Sequence, residues 1–450
     1  MQDELIVVEE RIHLGMDDID SPRGGCTTHF ASLLVEYLST IGAKWIDYPN
    51  LVRLNPNIPY RTRGNGAVAL RFDIDSSESE GILKWVSEKI VGYIEKSYPN
   101  TNPGVIIVKG EISNDVTNFA RRALWRALPI ELARRILRKH ELMHFCVGNG
   151  RGLIGALSSI GNQLRNDHTY EFLAYRGLDA IGETRGVNPQ SVIEMDKMFS
   201  GRLFSNLDPV SGRILVEPRG PDPVLFGLRG EAAGDVIRAA DHVQSSQDID
   251  RWMVFRTNQG TNEHLENRLQ ISRLRPYIAV TVEGRVESQP TMLEGGHVVF
   301  KLGDDSGTIE CAAYEPSGDF RKTILLLRQG DSIVILAGVR PSSKNHGLTL
   351  NVEGLQVREV TEQVEYANPV CPRCDRRMKS AGKQKGFKCA NCGHRDAVAE
   401  KIATPVSRSL KIGYYLPPLS AQRHLTRPLA RIKRRNRGRP DHMVEEWHIP

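Results

Sequence analysis

The spacing of apolar residues divides the chain into stretches of different period. Leu5–Leu14 (LIVVEERIHL) is rich in β-formers and predicts a strand. Phe30–Ile41 (FASLLVEYLSTI) carries its apolar residues at helical spacing. A short strand over Leu51–Leu54, a strand over Val68–Ile74, a helix over Gly81–Lys96 and a buried strand over Gly104–Gly110 (GVIIVKG) follow. Ala120–His140 reads as one charged amphipathic helix. Strands and helices in alternation predict an α/β unit. A second unit is expected from about Leu142. It opens on a glycine-rich bend into a helix (Cys146–Gly161, CVGNGRGLIGALSSIG), and a strand over Tyr170–Arg176 comes next. Arg185 and Asp196 fall in less regular sequence, a helix starts at Gly234, and a strand from Trp252 leads into a polar loop.

From Pro276 to about Val357 the period changes. Short runs beginning at Tyr277, His297, Ile309, Asp331 and Gly347 alternate, with a bridge at Thr323–Leu327 and glycine turns between them. This pattern predicts a small barrel, and the segment resembles the nucleic-acid OB-fold; a generic β-sandwich is the alternative. At 450 residues the chain is long enough for three or four domains. It has no apolar run of about 18 residues, so no membrane span is expected. The acidic start (MQDELIVVEE) lacks a signal-peptide pattern, which predicts a cytoplasmic protein. The net charge of +6 is unevenly spread, and the last fifty residues hold much of it, including Arg431, Lys433, Arg434, Arg435, Arg437 and Arg439. A basic end of this kind raises the prospect of a nucleic-acid partner.

Candidate chemistry concentrates in Leu14–His29 (LGMDDIDSPRGGCTTH). Asp17, Asp18 and Asp20 follow the first strand; Gly24, Gly25, Cys26, Thr27 and Thr28 come next. Carboxylates suit Mg²⁺, which takes oxygen ligands and shares them with substrate phosphates. Glycines let backbone N–H groups curl around an anion, and either threonine could cap the next helix or meet a phosphate. An acidic turn is the plainer reading, and no Walker-type lysine motif is present. Asn55–Ala67 (NPNIPYRTRGNGA) offers Arg61 and Arg63 as forked phosphate donors, with Asn65 between Gly64 and Gly66; a surface loop is the alternative. Asn149 and Arg151, among Gly148, Gly150 and Gly152, form a weaker anion-binding candidate. Asp222 stands between two prolines, a turn that would hold its carboxylate still. Arg256, Thr257, Asn258 and Gln259 open a polar loop able to meet nucleotide edges or phosphates.

Two CxxC pairs, Cys371/Cys374 and Cys389/Cys392, lie about fifteen residues apart. Four thiolates at this spacing suit tetrahedral structural Zn²⁺; a redox pair is the alternative. The other three cysteines are scattered, which argues for a reducing compartment over a disulfide scaffold. In the tail, Tyr414 and the QRHLTRPL run with Arg423 and His424 could stack on bases and hold phosphates; a solvated end is the alternative.

Taken in order, GMDDIDSPRGGCTTH, IPYRTRGNGA, GNGRGLIGALSSIG, PRGPDPVLFGLRG, FRTNQGTNEHL, the OB-like segment, the CxxC pairs and YYLPPLSAQRHLTRPL resemble the archaeal 2-agmatinylcytidine synthetase family along almost the whole chain. The resemblance implies a multidomain α+β protein. Its parts would be an atypical kinase-like, ATP-using domain (1–141), a ferredoxin-like domain for agmatine (142–270), an OB-fold (271–360), a zinc ribbon (365–400) and a basic tRNA-binding tail (401–450). It implies ligation of agmatine to C2 of the wobble cytidine in the isoleucine tRNA with a CAU anticodon. ATP would phosphorylate the C2 oxygen, the agmatine amine would displace it, and AMP and phosphate would be the other products. By motif, Thr27 matches the threonine that the family phosphorylates. The implied roles are Asp17, Asp18 and Asp20 for Mg²⁺ and triphosphate, Arg61, Arg63 and Asn65 for phosphate oxygens, and Gly24, Gly25, Gly64, Gly66, Asn149 and Arg151 around the nucleotide. Asp222 and the Arg256–Gln259 loop are the expected substrate contacts, with Tyr414, Arg423 and His424 on the RNA. No membrane and no obligate protein partner are expected. An RNA-binding protein without catalysis, working through its OB-fold and ribbon, is the alternative function.

Overall fold

The computed structural model describes residues 9–61, 64–96, 98–344, 346–440 and 442–449. Its first half is built on β1 (Glu9–Asp17), α1 (Thr27–Thr40), β2 (Lys44–Trp45), β3 (Asn50–Arg53), β4 (Gly66–Asp75), α2 (Glu78–Tyr93), β5 (Gly104–Lys109), α3 (Asn114–Ala123), α4 (Ile130–Lys139), β6 (Met143–Cys146) and α5 (Gly152–Gly161). Then come β7 (Thr169–Tyr175), α6 (Pro189–Met198), β8 (Val224–Gly230), α7 (Ala233–Ala240) and β9 (Arg251–Thr257). All nine strands enter one ten-stranded sheet, whose main path runs β6-β5-β1-β4-β3-β9-β7-β8. The two halves of this sheet meet where β3 and β9 pair in parallel, Asn50 beside Arg256 and Leu51 beside Thr257.

Side chains alternate across β1. Ile12, Leu14 and Met16 join the core with Phe30, Leu34, Ile82 and Val86 of α1 and α2. The opposite face carries His13, Gly15 and Asp17 toward α5. The expected single helix over Ala120–His140 is two helices, because Pro129 cannot continue a helix and instead precedes the first turn of α4. Helix α1 begins at Thr27, earlier than its apolar period indicates, with Cys26 as N-cap and no side-chain cap bond. Neither threonine therefore serves as the cap. Sequence patterning also missed β6, α6 and β8, whose stretches are short or interrupted by glycine and proline.

A second core fills the barrel of β10 (Ala279–Val286), β12 (Val298–Asp304), β13 (Gly307–Ala313), β14 (Ser332–Arg340) and β15 (Thr349–Glu359), with β11 (Thr291–Met292) at its edge. Pairing in the order β10-β14-β15-β13-β12, closed by β12 on β10, makes a five-stranded closed barrel. The Thr323–Leu327 segment contributes to a short helix, Phe320–Leu325. The C-terminal segment returns to the first half: Arg427 and Arg431 pair with Asp167, and His448–Ile449 pairs with β9.

Two buried arginines hold the centre. Arg71 donates to the Ser159, Ile160 and Asn162 carbonyls at the end of α5, to Asn50 Oδ1 and to His13 Nδ1. Such a cation at a helix C-terminus satisfies orphan carbonyls and complements the helix dipole. Burial, with Arg71 adjacent, lowers the His13 pKa to about 3, so the ring stays neutral and donates from Nε2 to Gly110 O at 3.1 Å. Arg256 forms a bidentate pair with Asp47, at 3.0 and 2.5 Å, and both side chains are fully buried. Removing one partner of a buried pair strands the other charge. Asp47→Ala is expected to cost about 3–5 kcal/mol in urea unfolding; a loss under about 1 kcal/mol would show that the pair does not hold the seam.

Candidate active site and zinc centre

The three aspartates sit where β1 ends. Asp17 is its last residue, and Asp18 turns the chain with φ +59°. The Asp17 carboxylate faces α5 at Gly155, where a Cβ would stand 1.8 Å from Oδ2. Burial raises the Asp17 pKa well above the usual carboxylate range, and the Asp18 charge adds to this. Burial pushes the Asp18 carboxyl up to about 6, although Arg151 Nη2 donates to its Oδ2 at 3.1 Å. Among the described residues, the His, Cys, Asp and Glu groups whose ligand atoms converge within 4.8 Å comprise the four ribbon cysteines, and the aspartates are not so drawn together. Like charges in a dry site repel until a cation or a proton joins them.

A cavity of about 340 Å³ opens on this trio. Its polar end holds Asp17, Asp18, Asp20, Arg61, Asn65 and Arg151, while Leu54, Ile58, Leu128 and Tyr277 give it apolar walls. The Arg151 guanidinium also lies over the Tyr60 ring, 5.6 Å from its centroid. Asn65 differs from expectation: its amide is engaged, donating to Asn55 O at 2.8 Å, and its φ of +50° shapes the turn. A Cβ at Gly64 or Gly66 would come within 2.8 Å of Arg53 Nη1, so these glycines admit that arginine. Gly24 and Gly25 close a tight turn with Ser21 and Ile19. Asn149 is a turn-former as well; its Oδ1 accepts from Arg151 N and its N donates to Asn102 Oδ1. Arg63 lies outside the described residues.

A second cavity, about 420 Å³, shares Asp20 and Gly66 with the first. Thr27 stands on its wall and donates from Oγ1 to Asp20 Oδ1 at 3.1 Å. Glu171, Glu217 and Asp222 line it, together with Arg53 and Arg229. Asp222 is held by Arg185 at 3.2 Å. Glu171, buried on β7, accepts from Arg229 Nε at 3.1 Å and from Gln259 Nε2. Glu171, Glu217, Arg53 and Arg229 escaped notice in the sequence. The one signal was a glutamate inside the apolar run YEFLAYR.

The Arg256–Gln259 loop is not a ligand-facing loop, because β9 is a central strand covered on both faces. Arg256 pairs with Asp47, Thr257 Oγ1 donates to Leu51 O, and Asn258 bonds the Arg53 backbone and Glu263. All four residues, Gln259 included, are fully buried. Gln259 Oε1 lies 3.0 Å from His424 Nδ1, and His424 reaches the second cavity. Arg423 pairs with Glu353 and donates to Pro56 O. Tyr414 is exposed on the edge strand Gly413–Tyr415 beside β15. Of the basic tail residues, Arg431 is fully buried, held by Glu231 and Asp167, and is structural.

The four ribbon thiols converge. Cys371 and Cys392 lie 3.5 Å apart by sulfur, Cys374 and Cys389 3.4 Å, and all four sulfurs lie within 4.8 Å of one another. Left-handed Asp375 and Gly393 close the two knuckles. This donor set fits structural Zn²⁺, with no side chain to spare for an open catalytic position.

The comparisons agree with this architecture. Residues 13–149 match the TiaS TCKD domain, 150–264 the TiaS FLD domain, 280–358 an OB-fold nucleic acid binding domain, and 368–410 the TiaS C-terminal zinc ribbon domain. A protein of Staphylothermus marinus named as the isoleucine-tRNA 2-agmatinylcytidine synthetase TiaS is 40% identical over 441 residues, 96% of each chain. The chain belongs to the 2-agmatinylcytidine synthetase (TiaS) family. The family member of Thermococcus sibiricus is 39% identical over 93% of this chain and 96% of its own. Among solved structures of the family, apo TiaS overlays with a TM-score of 0.84 at 37% identity, over 94% of this chain and 98% of that one. The complex of TiaS with its isoleucine tRNA, AMPCPP and agmatine overlays at 0.83 and 35% identity, with the same coverage.

Folding raises the Asp18 pKa from 3.8 to about 6, so its charge opposes folding increasingly as pH rises through that window. Asp18→Asn is expected to raise the Tm of metal-free protein at pH 7 and to leave it nearly unchanged at pH 4. A lower Tm at pH 7 would contradict this. The ribbon core is only Cys371, Met378, Phe387 and Cys389, so chelation is expected to expose residues 368–400 to protease while the barrel stays protected. Uniform protection after zinc removal would count against a structural ion.

Proposed function

We propose that this chain joins agmatine to C2 of the wobble cytidine of the isoleucine tRNA with a CAU anticodon, using ATP. One observation carries the reading: two cavities meet at Asp20, one apolar-walled with aspartates facing arginines, the other lined also by Glu171, Glu217 and Asp222, with Thr27 bonded to that aspartate. Relatives bearing the synthetase name over nearly the full length support it. So does the structure of TiaS with its isoleucine tRNA, an ATP analogue and agmatine.

In this reading ATP occupies the first cavity. Leu54, Ile58 and Tyr277 pack on its base, and Arg61 and Arg151 face its phosphates. Oxygen donors from Asp17, Asp18 and Asp20 fit Mg²⁺, which would neutralise phosphate charge when bound. Their raised proton affinity at Asp17 and Asp18 supports a site built for a cation. Asp20 accepts the Thr27 hydroxyl proton, which readies Thr27 Oγ1 as a phosphoacceptor. Glu171, Glu217 and Asp222 favour a cationic ligand in the second cavity, as the guanidinium of agmatine requires.

The target cytidine leaves its stack to enter this cavity. Its C2 oxygen takes a phosphoryl group from ATP as the phosphorus–oxygen bond to the nucleotide breaks, and water cleaves the remaining terminal phosphate to leave AMP and phosphate. The agmatine amine then bonds to C2, the C2–O bond breaks, phosphate departs, and the amine loses a proton. Residues 1–141 serve the nucleotide together with Arg151 and Tyr277, and 142–270 otherwise serve agmatine. The OB-fold (271–360), the ribbon (365–400) and the exposed cations of 401–450, Lys433, Arg434, Arg435 and Arg437, hold the tRNA. Such work belongs to the cytoplasm, and no described helix is long and apolar enough to cross a membrane.

The test incubates protein, CAU-anticodon transcript, ATP, Mg²⁺ and agmatine, then reads the wobble nucleoside by mass spectrometry. A gain of agmatine minus water that requires ATP is expected; unchanged cytidine with intact tRNA binding would leave only an RNA-binding protein. Asp20→Asn is expected to lower kcat at least about 100-fold while tRNA affinity holds. An equal fall in affinity would remove Asp20 from the chemistry.

A further inference from the structure

A third cavity, about 320 Å³, adjoins the second and shares Arg219, Arg229, Glu217 and His424 with it. Four arginines line it: Arg213, Arg219, Arg229 and Arg423. Glu217 is the one carboxylate among its lining residues, and its Oε1 accepts from Val187 N at 3.2 Å. Ser205, Ser420, Gln422 and Thr426 add polar side chains.

The arginines fall into two kinds. Arg229 is tied to buried Glu171 at 3.1 Å, and Arg423 to buried Glu353 at 3.1 Å, so both are set in place by carboxylates outside the cavity. Arg213 and Arg219 are exposed, and no hydrogen bond or ion pair among the described residues engages either guanidinium. Two unpaired guanidiniums beside two paired ones leave the concavity with an excess of positive charge, which an anion relieves. Forked guanidiniums beside hydroxyls match phosphate oxygens. Through Glu217, Arg219, Arg229 and His424 the cavity shares a wall with the space faced by Thr27 and Asp20. A phosphate here would lie next to a base held in the second cavity.

We propose that this arginine cavity binds the RNA phosphodiester backbone flanking the nucleotide under modification, with Arg213 and Arg219 closing on it. The inference rests on the functional reading above, because that reading puts the target base in the second cavity. The same phosphate chemistry could come from a free anion, and the experiment separates the two sources.

The full-length, zinc-loaded protein carrying Arg213→Ala and Arg219→Ala is compared with wild type for binding an unmodified CAU-anticodon transcript across a salt series. Single-stranded phosphate contacts contribute about 0.7 each to the salt slope, so loss of two is expected to flatten it by about 1.4 and to weaken binding at least about tenfold at low salt. The pair Arg213→Lys and Arg219→Lys keeps the charges and is expected to retain most of the slope. A transcript with a neutral methylphosphonate beside the wobble nucleotide should bind wild type less tightly and the alanine variant no differently. KM for ATP should not move. An unchanged slope, or equal methylphosphonate losses in both proteins, would overturn the proposal. So would unchanged tRNA binding with weakened binding of inorganic phosphate, which identifies a free-anion site. Binding is read without turnover, so failure of the ligation assay would refute the functional reading alone.

Discussion

Helix α5 lies on the sheet backbone to backbone, and the chemistry at its start depends on that approach. A Cβ at Gly15 would stand 2.2 Å from Ala156 O, one at Gly104 2.1 Å from Leu153 N, and one at Gly152 2.4 Å from Gly104 N. At Gly155 the space is taken by the Asp17 carboxylate itself. Side chains at these four positions would lift the helix away from β1 and β5. Arg151 would then lose Asp18, and Ile154 and Gly155 would leave the wall of the first cavity. The glycines of GNGRGLIGALSSIG thus serve mainly close packing, while Arg151 just ahead of the helix reaches the aspartates.

The far end of the same helix is held by Arg71, and beside it Arg256 donates to the carbonyls of Gln163 and Leu164. Both arginines are fully buried, so their charges are tolerated only because carbonyls and Asp47 surround them. Arg256 also reaches Gly438 O, which links the returning C-terminal segment to the same centre. Stability and site geometry therefore share one polar network spanning β1, β3, β4, β9 and α5.

The balance of charge differs among the three adjoining cavities. Three aspartates face Arg61, Arg126 and Arg151 in the first, carboxylates and arginines mix in the second, and arginines dominate the third. A cation with nucleotide phosphates, a diamine-like cation and an RNA backbone are the complements of that order. The carboxylates Glu171 and Glu353 orient arginines on the cationic side, so the sorting depends on pairs made across distant parts of the chain.

Local signals were enough for several features. The alternation of Tyr277–Leu355 gives a barrel because each strand has one inward face. Two CxxC pairs give a four-thiolate cluster because each knuckle is a short-range turn. The order of the family's motifs located the aspartates and Thr27. Long-range packing settled the rest. Arg256, Thr257 and Asn258 look like a binding loop in sequence and are core residues in space, since only the pairing of β9 between β3 and β7 decides which polar groups lose water. Glu171, Arg213, Arg219 and Arg229 carry no motif. They become a site because β7, β8, the loop before β8 and the C-terminal segment converge, and electrostatic interactions act across space with no regard to distance along the chain.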